Sequence, residues 1–216
     1  MNYLQAINKV LRRLREDEVT SPDATAYSKL IGEFVNDANR TVEDAWNWSA
    51  LRREDTTTTI AGQRDYLLYN LTSEFSTLQV TNSTEKCFVN LGTERELQED
   101  KFINPATESV PSNYVYTGYD EDAKTMGVAL YPVPNKAYVL NFNIVDRSGE
   151  LTTAQDDIKV PSLPVIQLAQ SMAVEERGET GGTTAAKLQA QAMVTLSDAI
   201  AYDAARFPNE TVWYAV

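Results

Sequence analysis

The stretch Arg53-Glu-Asp-Thr-Thr-Thr-Thr-Ile-Ala-Gly-Gln-Arg-Asp-Tyr-Leu-Leu-Tyr69 marks a change from helical to strand-like patterning along the chain. Its threonine run and its final segment, Asp65–Tyr69, are rich in the β-branched and aromatic residues that strands favour, and Gly62 lies between them. The stretch therefore predicts two short strands joined by a turn, which begin where the amino-terminal helical pattern stops.

Further short segments of the same character follow downstream, bounded by turn residues such as Asn82-Ser83 and Gly92. The predicted strands are residues 77–81, 87–91, 114–119, 126–131 and 137–145. Asp120-Glu-Asp-Ala-Lys124 is typical of a hairpin turn, and the polar residues 93–110 predict a loop with a helical turn. About seven strands at hairpin spacing predict an antiparallel β-sandwich or barrel-like module over residues 54–160.

Helical periodicity lies on both sides of this module. Residues 2–16 repeat apolar side chains at the i, i+3, i+4, i+7 spacing of an amphipathic helix, and a second such helix is predicted from about 24 to 50, with Asp23 as its N-cap. Twenty-seven helical residues would span about 40 Å. The period returns from Pro161 as far as Gly178, and a last, alanine-rich helix is predicted from about 184 to 206.

The fold class predicted from these elements is α+β. Each amphipathic helix buries only one face, so we expect the helices of residues 1–53 and 161–216 to pack together as a helical bundle. The module of residues 54–160 is then an insertion in that bundle, with its own core.

Composition excludes many kinds of active site. The chain has no histidine and a single cysteine, Cys87, which excludes histidine-based triads, histidine-containing zinc sites and an intrachain disulfide. The acidic clusters lack the loop spacing of a calcium-binding hand, and Gly178-Glu-Thr-Gly-Gly-Thr-Thr184 lacks the lysine of a phosphate-binding loop. The sequence therefore predicts no catalytic residue, no cofactor site and no metal site.

The net charge is −12. Such a balance disfavours a broad nucleic-acid interface, because that kind of binding depends on neutralising phosphates. Most of the acidity falls within residues 54–160, where it indicates either a solubilising surface or an acidic wall that repels a polyanion. The amino terminus lacks the pattern of a signal peptide, and no apolar run approaches the ~20 residues that span a bilayer, so we expect a soluble chain.

An ordered set of short segments extends over nearly the whole chain and resembles one known family. The segments are Val42-Glu-Asp-Ala-Trp-Asn-Trp-Ser-Ala-Leu-Arg52, Gly62-Gln-Arg-Asp-Tyr-Leu-Leu68, Pro111-Ser-Asn-Tyr114, Leu130-Tyr-Pro-Val-Pro134, Val160-Pro161, Ala173-Val-Glu-Glu-Arg-Gly-Glu-Thr-Gly-Gly182, Leu196-Ser-Asp-Ala-Ile200 and Arg206-Phe-Pro-Asn-Glu-Thr-Val-Trp213. Together they resemble the head-to-tail adaptor, or connector, proteins of tailed bacteriophages, the group related to the tail tubular protein A family.

The resemblance implies a structural protein of the virion neck, assembled in the host cytoplasm. It implies a ring, a dodecamer, beneath the portal that extends the DNA channel, closes the filled head and offers the tail a platform. The implied partners are further copies of the chain, the portal protein and tail tube or nozzle proteins. DNA would pass without specific binding, and no membrane is involved. The helical part would face the ring and portal, and the β module the tail or the exterior.

Two sets of aromatic residues are the predicted contact sites. The second predicted helix is long and aromatic for a small domain, so we expect its side chains to anchor the ring contact: Tyr27, Phe34, Trp46 and Trp48. The carboxyl-terminal segment beyond Pro208 carries further apolar anchors that we expect to reach the portal, or else to fold back on the core: Phe207, Val212, Trp213, Tyr214 and Val216.

Three other readings of the sequence stay open. One is another neck or tail-tube protein of the same particle, which sequence patterns do not separate from an adaptor. A DNA-packaging factor would need a basic patch, of which residues 9–15 give only a local trace. A carboxylate-dependent hydrolase would need a buried pair of acidic side chains in a pocket.

Overall fold

The computed structural model describes residues 1–103, 108–178 and 182–206. The helices of this part of the chain are α1 (Tyr3–Arg13), α2 (Ala26–Asp44), α3 (Glu94–Gln98), α4 (Ser162–Glu176) and α5 (Thr183–Ala204). The strands are β1 (Arg52–Thr58), β2 (Asp65–Tyr69), β3 (Phe75–Asn82), β4 (Cys87–Leu91), β5 (Asn113–Asp120), β6 (Thr125–Tyr131) and β7 (Val139–Asp146). The α+β class predicted from the sequence is confirmed.

The chain divides into two compact units. The helical unit combines Met1–Leu51 with the described part of 148–216, and the β unit is Arg52–Arg147. The predicted second boundary, at 160, differs from the observed one because residues 148–158 are hydrogen-bonded to the helices. Asn36 exchanges two 3.1 Å hydrogen bonds with the backbone of Leu151, and the Tyr3 N–H donates to the Asp156 carbonyl at 2.8 Å.

Helices α1 and α2 begin at side-chain caps that satisfy their first backbone N–H groups. Asn2 and Gln5 form a capping box on α1. On α2 the cap is Thr25, whose hydroxyl accepts from the Ser28 N–H at 2.9 Å, so the prediction of Asp23 as N-cap is wrong. Thr25 is two residues closer than Asp23 to the first buried residues of α2, which are Ser28 and Ile31.

Helix α2 ends at Asp44, several residues before the predicted end at 50. The chain turns there because Trp48 folds back over the last turn of the helix. The Trp48 side chain is 1% exposed, and its indole N–H donates to the Val42 carbonyl at 2.6 Å. A carbonyl at the helix end thus gains a donor while the largest side chain of the segment is buried.

Helix α4 is the most apolar helix of the helical unit. Nine of its 15 residues are buried, and it contacts α1, α2 and α5. A helix buried on several faces needs neighbours on several sides, which α1 and α2 supply from the amino-terminal part of the chain and α5 from the carboxyl-terminal part. The bundle arrangement itself stays a prediction.

The β unit is one nearly closed, barrel-like sheet of seven strands in the order β1-β7-β3-β4-β5-β6-β2. Its core is a cluster of aliphatic and aromatic side chains: Tyr66, Leu68, Leu71, Val80, Val89, Tyr114, Val128, Leu130, Tyr138, Leu140, Phe142 and Ile144. On β2 these residues alternate with exposed ones, as a sheet with one buried face requires. Parts of β5 and β6 are buried on both faces, because Val115, Ala129 and Tyr131 form a second cluster with Leu97 of α3.

One strand pair corrects the expectation of a purely antiparallel module. β4 and β5 pair in parallel, through Asn90 with Asn113 and Leu91 with Tyr114. Parallel neighbours need a crossover connection, and here that connection includes α3. The predicted hairpin turn at residues 120–124 is confirmed, because β5 and β6 pair in antiparallel register with Asp120 opposite Thr125.

Glu43 is a buried carboxylate that fastens α2 to the start of residues 148–158. It is 2% exposed and accepts hydrogen bonds from the Ser148 N–H at 3.0 Å and from the Asn39 amide at 3.0 Å. Burial raises the pKa of Glu43 above its ordinary value of 4.5, although the hydrogen bonds from Ser148 and Asn39 oppose that rise.

This raised pKa predicts a pH dependence of stability. Between 4.5 and the raised value the folded chain binds more protons than the unfolded chain, so the free energy of unfolding falls as the pH rises through that window. The variant Glu43→Gln has no such titration, and we expect the wild-type value minus the variant value to decline across the window. Urea denaturation at several pH values checks this, and a difference that stays constant or rises with pH would contradict it.

Candidate interaction surfaces

The four residues predicted to anchor a ring contact all lie in the helical unit, but they differ in exposure. Trp48 is buried within its own chain, so a neighbouring subunit could not touch its indole without local rearrangement. Tyr27, Phe34 and Trp46 are partly exposed. Trp48 therefore supports the end of α2, whereas the other three side chains remain accessible at the surface.

Tyr27 is held within the chain by Arg177. The guanidinium carbon of Arg177 lies 5.0 Å from the Tyr27 ring centroid, and the Arg177 Nε donates to the Tyr27 hydroxyl at 2.8 Å. Arg177 also pairs with Glu16 at 2.6 Å. This cluster joins the segment after α1, the start of α2 and the end of α4, so Tyr27 has a structural role apart from any subunit contact.

Trp46 differs from Trp48 in its polar atom. Its indole Nε1 is buried and has no hydrogen-bond partner among the residues that the structure describes. A carbonyl or carboxylate from elsewhere would give this donor an acceptor.

Sequence reasoning missed a polar site at the carboxyl-terminal end of α5. Asp203 is 6% exposed, and its carboxylate accepts from the Ser49 N–H at 2.9 Å and from the Ser49 hydroxyl at 2.6 Å. Arg206 forms an ion pair with the same carboxylate at 3.3 Å. The sequence contained a signal for the burial of Asp203, because this residue lies on the same face of the helix as the buried Ala192 and Leu196.

Asp203 forms part of the wall of a cleft of about 490 Å³ in the helical unit. The cleft is lined by Trp48, Ser49, Ala50, Lys159, Val160, Pro161, Ala199, Tyr202, Asp203 and Arg206. Tyr202 is 76% exposed at its edge. The predicted portal anchors Phe207, Val212, Trp213, Tyr214 and Val216 follow Arg206 in sequence and lie outside the described residues.

Helix α5 also exposes large apolar side chains. Only Ala185, Ala192, Leu196 and Asp203 are buried among its described side chains, whereas Met193, Val194 and Tyr202 are large and exposed. With 3.6 residues per turn these three side chains spread over the outer half of the helix, which also carries the exposed Lys187 and Asp198. Exposed apolar side chains of this size suit contact with another protein, and the sequence analysis predicted the helix without identifying them.

No group of three or more Asp, Glu, Cys or His side chains in the part of the chain that the structure describes could hold a metal ion. Cys87 is exposed and free. None of the helices that the structure describes combines the length and the apolar character needed to cross a membrane.

The model of the SU10 adaptor protein family matches residues 1–211. Because the match covers nearly the whole chain, the chain belongs to the SU10 adaptor protein family, which is consistent with a phage adaptor. A search of curated proteins found no match.

The hydrogen bonds of Asp203 predict a loss of stability on mutation. In Asp203→Ala the Ser49 N–H and hydroxyl lose their acceptor, and we expect the free energy of unfolding to fall by about 1–3 kcal/mol. The matched control is Asp198→Ala, which removes an exposed carboxylate from the same helix and should change stability by less than about 0.5 kcal/mol. Urea denaturation followed by tryptophan fluorescence measures both; equal effects of the two variants would refute a structural role for Asp203.

Proposed function

We propose that this chain is a head-to-tail adaptor of a tailed bacteriophage, which forms a ring beneath the portal. In that position the ring extends the DNA channel, closes the filled head and gives the tail its attachment platform. The observation that carries this proposal is the match of residues 1–211 to the SU10 adaptor protein family. Within it we propose a relationship to the tail tubular protein A group, on the ordered segments quoted above.

The ring contact is assigned to the helical unit, whose helices we interpret as a bundle. Its support is the outer face of α5, where Met193 and Val194 are exposed, together with the accessible side chains of Phe34 and Trp46 on and after α2. A heterologous ring needs two different surfaces on each subunit, and these two lie on separate helices. The proposed ring is a dodecamer.

The portal contact is assigned to the carboxyl-terminal segment, residues 207–216. Its sequence is rich in apolar anchors, and it directly follows Arg206 at the edge of the cleft. The β unit is assigned to the tail side or the exterior. These assignments give the two units separate partners, the portal protein on one side and the tail tube or nozzle proteins on the other.

Passage of DNA requires a channel that does not retain it. The net charge of −12 supports this role, because an acidic wall repels phosphates. Such a wall releases no counterions from the DNA, and that release is what drives electrostatic binding. A gel shift at low salt, where electrostatic binding is strongest, should show no complex. A stable complex would favour the DNA-packaging alternative.

The ring contact gives a direct test by mutation. We expect the double variant Phe34→Ala, Trp46→Ala to lower the fraction of ring particles seen by electron microscopy in the presence of portal, because it truncates two accessible apolar anchors. The control is Phe88→Ala, which truncates an exposed phenylalanine of the β unit. Unchanged ring formation by the double variant, with its folding verified by circular dichroism, would refute this assignment.

The portal contact is tested by truncation. A chain that ends at Arg206, with its folding verified by circular dichroism, should bind purified portal at least about tenfold more weakly than the full chain. Binding is measured by surface plasmon resonance on immobilised portal. Full affinity of the truncated chain would remove the carboxyl-terminal segment from the portal contact.

A further inference from the structure

The cleft at the carboxyl-terminal end of α5 follows the last two turns of that helix. Four of its lining residues have the i, i+3, i+4, i+7 spacing of one helix face: Ala199, Tyr202, Asp203 and Arg206. This spacing corresponds to about 10 Å along the helix axis. The cleft that this face forms with residues 48–50 and 159–161 has a volume of about 490 Å³, and we refer to it as the α5 cleft.

The polar groups inside the α5 cleft are paired with one another. Asp203 accepts hydrogen bonds from the N–H and the hydroxyl of Ser49, and Arg206 pairs with the same carboxylate at 3.3 Å. Apart from these groups and Lys159, the lining is apolar or aromatic: Trp48, Ala50, Val160, Pro161, Ala199 and Tyr202. The cleft therefore offers an occupant mainly apolar surface, in a volume within the range of ligand pockets.

Two side chains of the α5 cleft could gain contacts from an occupant. Tyr202 is 76% exposed although it lies against an apolar lining. Lys159 is exposed, and it forms no ion pair among the residues that the structure describes. An occupant that covers Tyr202 with apolar side chains and brings a carboxylate to Lys159 would complement both.

The ten residues that follow Arg206 have this composition. Glu210 is the one charged side chain of residues 207–216, and the apolar and aromatic residues 212–214 come two positions after it. Pro208 cannot continue a helix, and Asn209 favours a turn. A reversal of the chain at these two residues would direct residues 210–214 back along α5. Five extended residues reach about 17 Å, which exceeds the length of the cleft.

We propose that the α5 cleft of the free chain binds residues 210–214 of the same chain, with Trp213 against the apolar lining and Glu210 toward Lys159. Attachment through only residues 207–209 gives this segment a high effective concentration at the cleft, which a segment of a second copy or of another protein does not have. The same segment is assigned to the portal contact above, so portal and cleft compete for it. This competition rests on the proposed function, whereas occupation of the cleft does not.

The fluorescence of Trp213 reports whether the cleft is occupied. Acrylamide quenching is measured on the full chain with and without Trp213→Phe, and the difference gives the quenching of Trp213. We expect Trp213 to be quenched several-fold less in the wild-type chain than in Ala199→Glu, which places a charge on the apolar lining. The matched control is Ala201→Glu, an exposed position of the same helix outside the cleft, which should leave Trp213 protected.

A peptide gives a second measurement, which does not depend on the folding of Ala199→Glu. The probe is the labelled, acetylated and amidated peptide of residues 207–216, and its binding is followed by fluorescence anisotropy. We expect the full-length variant Trp213→Ala to bind it at least about tenfold more tightly than the wild-type chain, because the wild-type segment occupies the cleft. The same peptide with Trp213→Ala is the control and should bind neither chain.

Three outcomes would overturn the proposal. These are equal quenching of Trp213 in the wild-type chain and in a folded Ala199→Glu, equal peptide binding by the wild-type chain and Trp213→Ala, or protection of Trp213 that is lost on dilution. The last result would assign the cleft to the segment of a second copy.

Portal binding separates this proposal from the portal contact. Ala199→Glu releases the segment, so we expect it to bind purified portal several-fold more tightly than Ala201→Glu. Equal portal affinities, with Trp213 protected in the control and exposed in Ala199→Glu, would count against the portal contact and leave occupation of the cleft supported.

Discussion

The burial of α4 is the constraint on which the helical unit depends. Nine of the 15 residues of this helix are buried, and no single neighbour can cover that much of a helix surface. Its contacts with α1 and α2 require the amino-terminal part of the chain, and its contact with α5 requires the carboxyl-terminal part. The β unit is therefore an insertion in the sequence, since the residues on either side of it must meet again in one core.

The connection back into the helical unit combines polar contacts with two buried apolar side chains, Leu151 and Ile158. Glu43 accepts from Ser148, Asn36 pairs with the backbone of Leu151, and Tyr3 donates to Asp156. Hydrogen bonds of this kind fix the path of a segment that contains no helix or strand. They also explain why residues 148–158 belong with the helices although their sequence shows no helical period.

The strands were predictable because alternation and turn residues are local signals. β2 and β4 have the predicted bounds, 65–69 and 87–91, and the hairpin at 120–124 follows from its turn composition. The parallel pairing of β4 with β5 was not predictable, because a strand's partner is chosen by the whole sheet. The early end of α2 was missed for a related reason. Helical periodicity continues past Asp44, but the helix ends there because Trp48 is buried against its last turn, a contact that periodicity does not reveal.

The surface residues that could be predicted are likewise those that a local signal marks. Asp203 lies in register with the buried stripe of α5, so the helical period could have identified it as a buried carboxylate, although not its partner Ser49. The strands that end the sheet, β1 and β2, could not be identified in this way, because the strand order is set by long-range pairing.

The net charge of −12 limits how copies of this chain can associate. A contact between acidic copies brings like charges together unless the surfaces that meet are apolar, and the exposed Met193, Val194 and Tyr202 of α5 carry no charge. The ring contact proposed above therefore depends on apolar burial, because attraction between charges cannot hold together two copies of an acidic chain.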